Sequence, residues 1–375
     1  MQSITTAHNL KGKRVLLRAS LNVPIRQGAI LDTVRLEQAL PTIKFLIGAG
    51  ARVIVVSHLS KAEGTTLQPV FRYLKEKIPL SFIGNIHSDR AQDMIAKMRD
   101  DDVVLAENLR VYPEEEANDP VFTRTLASLA DMYVNDDFTV SHRKHASIVG
   151  VPKFLPSYMG LSFEREYTFL SQALRAPTPS LAILGGGKPE TKIPLIASLA
   201  EKMTDVFVCG ISANVLWKSQ GFEIGLSVAS AFPIPTTEKV LKMENIHLPS
   251  DVRIKDAQGI VRVGSLQSVD AGSAIVDAGP QTLLDIEQLI KQASFVLWNG
   301  PLGEYEKGYT ESTHALARLL AQSGKHVIVG GGDTVAAIAT LGLSDKFTFV
   351  SSAGGAMIDF LAHETLPGIE ALGRS

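Results

Sequence analysis

Short apolar runs alternate with stretches whose apolar positions recur at helical spacing, and the alternation persists along the whole chain. In the first half it predicts elements over residues 14–18, 34–47, 51–57, 67–78, 103–105, 121–129 and 132–134. Val34, Leu40, Ile43, Leu46 and Ile47 repeat at near-helical spacing, whereas residues 53–56 form a β-branched run without polar alternation. A strand with no polar face is covered on both sides, so the pattern predicts a parallel sheet between layers of helices. The second half repeats the scheme, with strands near residues 181–184, 206–209, 274–276, 295–298, 326–329 and 347–350. Both halves read as doubly wound α/β. Between them, residues 162–174 are helical in pattern and end at Pro177-Thr-Pro179. This segment is either a connecting helix with a hinge or an ordinary packing helix.

The turns carry the first chemical signal. Lys325-His-Val-Ile-Val-Gly-Gly-Gly-Asp-Thr334 reads as a strand, three glycines, an acid and a helix start. Glycines let backbone approach an anion, a helix start offers unpaired N–H groups and the positive dipole end, and Asp333 could hold Mg²⁺ beside phosphates. The same grammar recurs at Leu181-Ala-Ile-Leu-Gly-Gly-Gly-Lys188 and Phe347-Thr-Phe-Val-Ser-Ser-Ala-Gly-Gly355. Lys188 and Lys192 lie four residues apart, which on a helix puts both ammonium groups on one face. Next to Gly185-Gly186-Gly187 they suit a phosphoryl group, although a lysine pair on a solvated face is the plainer alternative. Phe295-Val-Leu-Trp-Asn-Gly-Pro-Leu-Gly-Glu-Tyr-Glu306 ends another strand, with Asn299 placed to reach phosphates and Glu306 to accept from ribose hydroxyls. Asp277-Ala-Gly-Pro280 reads as a structural turn.

The first half differs in chemistry. Arg18, Arg35, His58, Lys61, Arg110, Arg143, His142 and His145 fall at strand ends and loops, where a doubly wound sheet holds its ligands. A basic rim suits a small polyanion, because Arg grips carboxylate and phosphate bidentately. Any one of these arginines could instead pair with a surface carboxylate. His142 and His145 have a spacing compatible with a metal, but no further His or Cys ligand stands near them.

Composition narrows the partners. At 375 residues the chain exceeds one ordinary core, and 37 Lys+Arg against 39 Asp+Glu gives a formal charge of −2 without like-charge blocks. Nucleic acid and membrane surfaces are therefore not expected partners. Cys209 stands alone, the first residues are polar, and no apolar run approaches ~20 residues. These features predict a soluble, cytoplasmic protein. A polyanion site in one half and a nucleotide site in the other call for phosphoryl transfer, which needs alignment and charge neutralisation more than covalent help. The chain has no G-x-x-x-x-G-K-[ST] sequence, so it is not a P-loop enzyme.

The ordered stretches Glu107-Asn-Leu-Arg110, Val134-Asn-Asp136, His142-Arg143, His145-Ala-Ser147, Ile183-Leu-Gly-Gly186 with Lys188, Trp298-Asn-Gly-Pro301, Gly330-Gly-Gly-Asp-Thr334 and Leu366-Pro-Gly368 resemble phosphoglycerate kinases over nearly the whole length. The resemblance implies reversible transfer of the acyl phosphate of 1,3-bisphosphoglycerate to Mg·ADP, giving 3-phosphoglycerate and ATP in glycolysis. It implies a monomer of two Rossmann-like lobes: residues 1–160 for the acid, with a tail, 361–375, returning to them, a connecting helix and hinge at 161–179, and 180–360 for the nucleotide. By the same resemblance Asn22, Arg35, His58, Arg110 and Arg143 would hold the phosphoglycerate, and Arg35 would also reach the transferred group. Lys188, with the backbone at Gly354 and Gly355, would stabilise that group in the transition state. Gly186, Gly210, Gly331 and Gly332 would line the nucleotide, Lys192, Asn299 and Thr334 would contact its phosphates, Asp333 would position Mg²⁺, and Glu306 would face the ribose.

Departures accompany the likeness. The family's Arg-Val-Asp-Phe-Asn reads Arg18-Ala-Ser-Leu-Asn22 here, so Ser20 replaces an acid, and Ser-His-Leu-Gly-Arg reads Ser57-His-Leu-Ser-Lys61. A glycine triplet appears as Cys209-Gly210-Ile211, Ala353 replaces the first glycine of the last phosphate turn, and Thr191 stands where an acid is common. Two other functions remain conceivable from sequence: an acyl-phosphate kinase for a different acid, and a non-catalytic two-domain binding protein.

Overall fold

The computed structural model describes residues 1–60 and 66–373. They divide into two compact units, Met1–Thr168 with Thr365–Ser375, and Phe169–Glu364. The first unit is built on a six-stranded parallel sheet in the order Leu80–Gly84, Val103–Ala106, Arg52–Val56, Arg14–Ala19, Met132–Asp136, Ser157–Met159. The run at Val53–Val56 is fully buried, as expected of a strand covered on both faces. Helix Val34–Gly48 turns Leu36, Ala39, Leu40, Ile43 and Leu46 into this core. Val34, counted with the apolar stripe from sequence, is instead exposed at the first turn.

The second unit has its own six-stranded parallel sheet: Ile246–His247, Asp205–Val208, Ser180–Leu184, Phe295–Asn299, His326–Gly330, Phe349–Val350. Leu181, Ile183, Phe207, Val296, Trp298, Val327 and Val329 supply its core. The apolar run near 274–276 does not join it. Strand Ala274–Ala278 pairs antiparallel with Val252–Lys255, which pairs antiparallel with Val261–Gly264 in a separate three-stranded sheet. A short apolar run carries no information about its partner or direction, which explains the misplacement.

In both large sheets the chain starts near the middle, builds to one side, then crosses to the other. The reversals fall between Arg14–Ala19 and Met132–Asp136, and between Ser180–Leu184 and Phe295–Asn299. Loops at the carboxyl ends of such strands splay apart and leave a ligand crevice. Helix Leu161–Leu174 contains the division between the units. Its start is held by buried Asp136, whose Oδ1 accepts from the Ser162 and Phe163 N–H groups at 2.8 and 3.3 Å. Burial, with Asp137 adding like charge, pushes the Asp136 carboxyl up to about 7. In the first unit Gly368 N–H donates to Ser141 O at 2.8 Å, fastening helix Pro367–Leu372. Among the described residues no helix is long and apolar enough to cross a membrane.

Candidate active site

In the first unit, Arg18, next to last in strand Arg14–Ala19, is a buried hub. Its Nε donates to Ser147 Oγ at 3.0 Å, Nη1 to Ala19 O at 2.9 Å and Asp137 Oδ2 at 2.8 Å, and Nη2 to His58 Nδ1 at 2.8 Å. All three guanidinium nitrogens are engaged within the protein, so Arg18 is framework rather than a group of the open basic rim. Ser147 Oγ passes the connection on to buried Glu115 at 2.5 Å.

Around this hub stand the expected acid-binding residues. His58 is buried, and burial first, then the charges of Arg18, Arg110, Arg35 and His145, hold its imidazole well below the usual range, so it is neutral. Burial and Arg110, with smaller effects from Arg18 and Arg143 partly offset by Glu116, push His145 down to about 4. These shifts record cations converging on one place. Arg110 is half-buried, with Nε 3.4 Å from Glu116 Oε1 but without hydrogen-bond geometry. Arg143 is exposed and makes no ion pair with a described residue. Arg35 donates Nη1 to Asn22 O at 2.8 Å. Asn22 Oδ1 accepts from Ser60 N–H at 3.0 Å, which fixes the chain just before Lys61. Lys61 itself lies outside the described residues. Ser20 is 7% exposed, and its Oγ finds no hydrogen-bond partner among the described residues.

Two residues of the Glu107-Asn-Leu-Arg110 stretch, to which sequence reasoning gave no role of their own, organise the same rim. Asn108 Oδ1 accepts from Leu59 and Arg110 N–H groups, both at 3.0 Å. Glu107 accepts from Leu67 N–H at 2.7 Å and Thr66 Oγ1 at 2.8 Å. Together they hold the chain at Leu59 and at Leu67, on either side of residues 61–65. Both follow a buried strand directly, the signal by which the arginines were chosen.

In the second unit, four helices start just after parallel strands: Pro189–Ala200, Gly210–Ser219, Gly332–Thr340 and Gly355–His363. Their first N–H groups gather at one end of the sheet and favour anions. Glycine is required at the tightest point. Gly210 has φ +60°, and a Cβ there would lie 2.6 Å from Gly186 N, so the two turns touch backbone to backbone. Gly331 (φ +96°) caps the helix beginning at Gly332, and Gly354 (φ 53°, ψ −117°) caps the one beginning at Gly355.

The lysines are not a pair on a helix face. Lys188 is the residue before its helix, in left-handed backbone (φ 59°, ψ 60°), and its side chain is exposed. Such a conformation is unfavourable for a residue with a Cβ. Lys192 is 5% exposed and donates to Gly185 O beneath the turn. Burial, opposed by Asp333 and reinforced by Lys188, lowers its ammonium to about 8. Asp333, in the first turn of its helix, accepts no hydrogen bond from a described residue. Buried Thr334 accepts from Gly300 N–H at 2.8 Å, tying two turns together. Asn299 is buried, its Nδ2 3.6 Å from Met357 Sδ. Glu306 is exposed in the short turn Tyr305–Lys307. Among the described residues no group of three His, Cys, Asp or Glu side chains could hold a metal, so His142 and His145 gain no third ligand.

Two doubly wound sheets, one with converging cations and one with glycine-led helix starts beside two lysines and an acid, define a phosphotransferase. The chain belongs to the phosphoglycerate kinase family, whose model matches residues 5–364. It is 39% identical to phosphoglycerate kinase of Dictyoglomus turgidum over 97% of this chain and 96% of that one. It is 40% identical to that of Chlorobaculum tepidum over 97% of each. The solved phosphoglycerate kinase of Coxiella burnetii superposes with TM-score 0.86 at 34% identity, covering 99% of this chain and 98% of the other. That of Pyrococcus horikoshii superposes with TM-score 0.85 at 28% identity, covering 100% and 98%. The reaction is the reversible glycolytic transfer of phosphate between 1,3-bisphosphoglycerate and ADP, with a carboxyl group as acceptor in reverse.

Proposed function

We propose that the first unit holds 3-phosphoglycerate through Arg35, His58, Arg110 and Arg143, with Ser20, Asn22 and Lys61 completing the pocket, and that the second holds the nucleotide. Gly186, Gly210, Gly331 and Gly332 bring backbone close to it, Asn299, Lys192 and Thr334 serve its phosphates, and Glu306 its ribose. Asp333 suits Mg²⁺, since it is a carboxylate without a donor among the described residues, and Mg²⁺ takes one or two carboxylates plus phosphate oxygens. The ion would neutralise phosphate charge there. The observation that carries the reading is the exposed, conformationally strained Lys188 directly before the helix Pro189–Ala200, near enough to buried Lys192 to lower its ammonium.

During transfer, negative charge spreads over the moving phosphoryl oxygens. Lys188, Arg35 and the N–H groups of Gly354 and Gly355 would stabilise that distribution. Direct transfer requires both ligands to meet with water excluded, so closure about the helix segment at 161–179 would need both together. The enzyme would act as a cytoplasmic monomer. A coupled assay of ATP formation from enzymatically generated 1,3-bisphosphoglycerate and Mg·ADP tests the reading. ATP formation that is abolished by omitting Mg²⁺ is expected. Faster turnover of another acyl phosphate would favour the alternative acid, a possibility raised by the Ser20 hydroxyl, which has no partner among the described residues.

A further inference from the structure

We propose that Asp137 is a positioning residue of the acid-binding half: through Arg18 it fixes His58 in the Nε2–H tautomer, so that His58 meets the acid substrate as a hydrogen-bond donor. The inference rests on the reading that His58 contacts that substrate.

The argument begins with a buried charge. Arg18 is 1% exposed, and a guanidinium so placed needs a counter-ion. Asp137, itself 0% exposed, is the carboxylate in direct contact, with Oδ2 2.8 Å from Nη1. Its other oxygen accepts from Thr139 Oγ1 at 2.6 Å, and its own N–H donates to Asn135 Oδ1 at 3.0 Å. The carboxylate is thus held at both oxygens and its backbone is tied to Asn135, and the guanidinium follows it. Glu115 is reached only through the Ser147 hydroxyl.

A guanidinium has donors and no acceptor. The 2.8 Å contact between Arg18 Nη2 and His58 Nδ1 therefore uses the imidazole lone pair at Nδ1, and the ring proton resides on Nε2. Asp137 Oδ2 is 3.8 Å from the same Nδ1, too far to accept from it. Arg18 occupies the position from which Nδ1 would otherwise find an acceptor. Burial and the surrounding guanidinium groups keep the ring neutral, so the tautomer decides whether it donates or accepts at Nε2. Without Asp137, Arg18 has Glu115 as its remaining nearby carboxylate, and moving toward it releases Nδ1.

Nitrogen-15 NMR of histidine-labelled, full-length, ligand-free protein reads the tautomer without depending on substrate contact. One His58 signal set with the proton on Nε2 is expected; protonated Nδ1 in the wild type would overturn the proposal. Asp137→Ala should give mixed tautomers and raise the 3-phosphoglycerate KM about tenfold, with kcat and nucleotide KM held within about twofold. Asp137→Asn keeps an acceptor for Arg18 but removes its counter-ion, so it should shift the tautomer and the KM in the same direction as alanine, by less. It also serves if the alanine variant does not fold, since an unchanged His58 signal and KM in the folded asparagine variant contradict the proposal. An unchanged tautomer and KM in folded Asp137→Ala would overturn the proposal as well. His58→Ala separates the two readings: an unaltered 3-phosphoglycerate KM there refutes substrate contact by His58 and leaves the tautomer result standing.

Discussion

Lys192→Met should make the ligand-free protein more stable while disabling it. The lysine is 5% exposed, and burial lowers its ammonium from 10.5 to about 8, with Asp333 opposing and Lys188 adding. That drop corresponds to about 3 kcal/mol of destabilisation whenever the folded protein must hold the charge. Methionine fills similar space but leaves Gly185 O without its donor, which offsets about 1–2 kcal/mol. The net gain at pH 7 is then about 1–2 kcal/mol. The sign with pH follows from the lowered value. Below about 8 the lysine is charged in both states and the folded state bears the whole cost. Between about 8 and 10.5 the folded lysine is neutral while the unfolded one still binds its proton, so wild-type stability recovers as pH rises. Urea unfolding followed by tryptophan fluorescence suits the test, because both tryptophans, Trp217 and Trp298, are buried in the second unit. The variant should lead at pH 7 and lose that lead by about pH 10. A variant less stable than wild type at pH 7, with a difference that does not change with pH, would refute the reasoning.

Gly210→Ala should destabilise the second unit by about 2–4 kcal/mol, from left-handed backbone plus a Cβ 2.6 Å from Gly186 N, and raise the nucleotide KM; an unchanged melt would contradict that contact. Ser20→Asp with Lys61→Arg should lower the 3-phosphoglycerate KM about tenfold through a charged acceptor and a bidentate donor, leaving the nucleotide KM alone. Loss of 3-phosphoglycerate turnover in that variant would instead favour a different natural acid. In small-angle scattering, the radius of gyration should fall only when 3-phosphoglycerate and a Mg-nucleotide are both present, and an unchanged profile with both would argue against closure.

The sheets were legible because a parallel strand buried on both faces is apolar throughout, as in Val53–Val56 and Leu181–Leu184. Strand Ala274–Ala278 looked the same locally and pairs elsewhere, since pairing is settled by partners distant in sequence. The residues proposed to meet ligands, His58, Arg110, Lys188 and Asp333, were picked out by the rule of strand ends, and the structure places each of them after a strand of its sheet. What a strand-end residue does there was not legible. Arg18 and Lys192 are cations in the right places, yet their donors turn inward to Asp137 and Gly185. The misreading of Lys188 and Lys192 as one helix face has a local cause: the helix begins one residue after Lys188, whose left-handed backbone breaks the helical register. Ser20 was visible as a departure, but only burial reveals that its hydroxyl has no protein partner among the described residues.

The central claim is that the exposed Lys188, held in a strained turn at the sheet's switch point, stabilises the phosphoryl group in flight. Steady-state kinetics of Lys188→Ala in both directions tests it most directly. The account expects kcat to fall by ~10²-fold or more, with each KM changed by less than about fivefold, because the ammonium is needed where charge is redistributed. A kcat close to wild type, or a loss confined to KM, would contradict it.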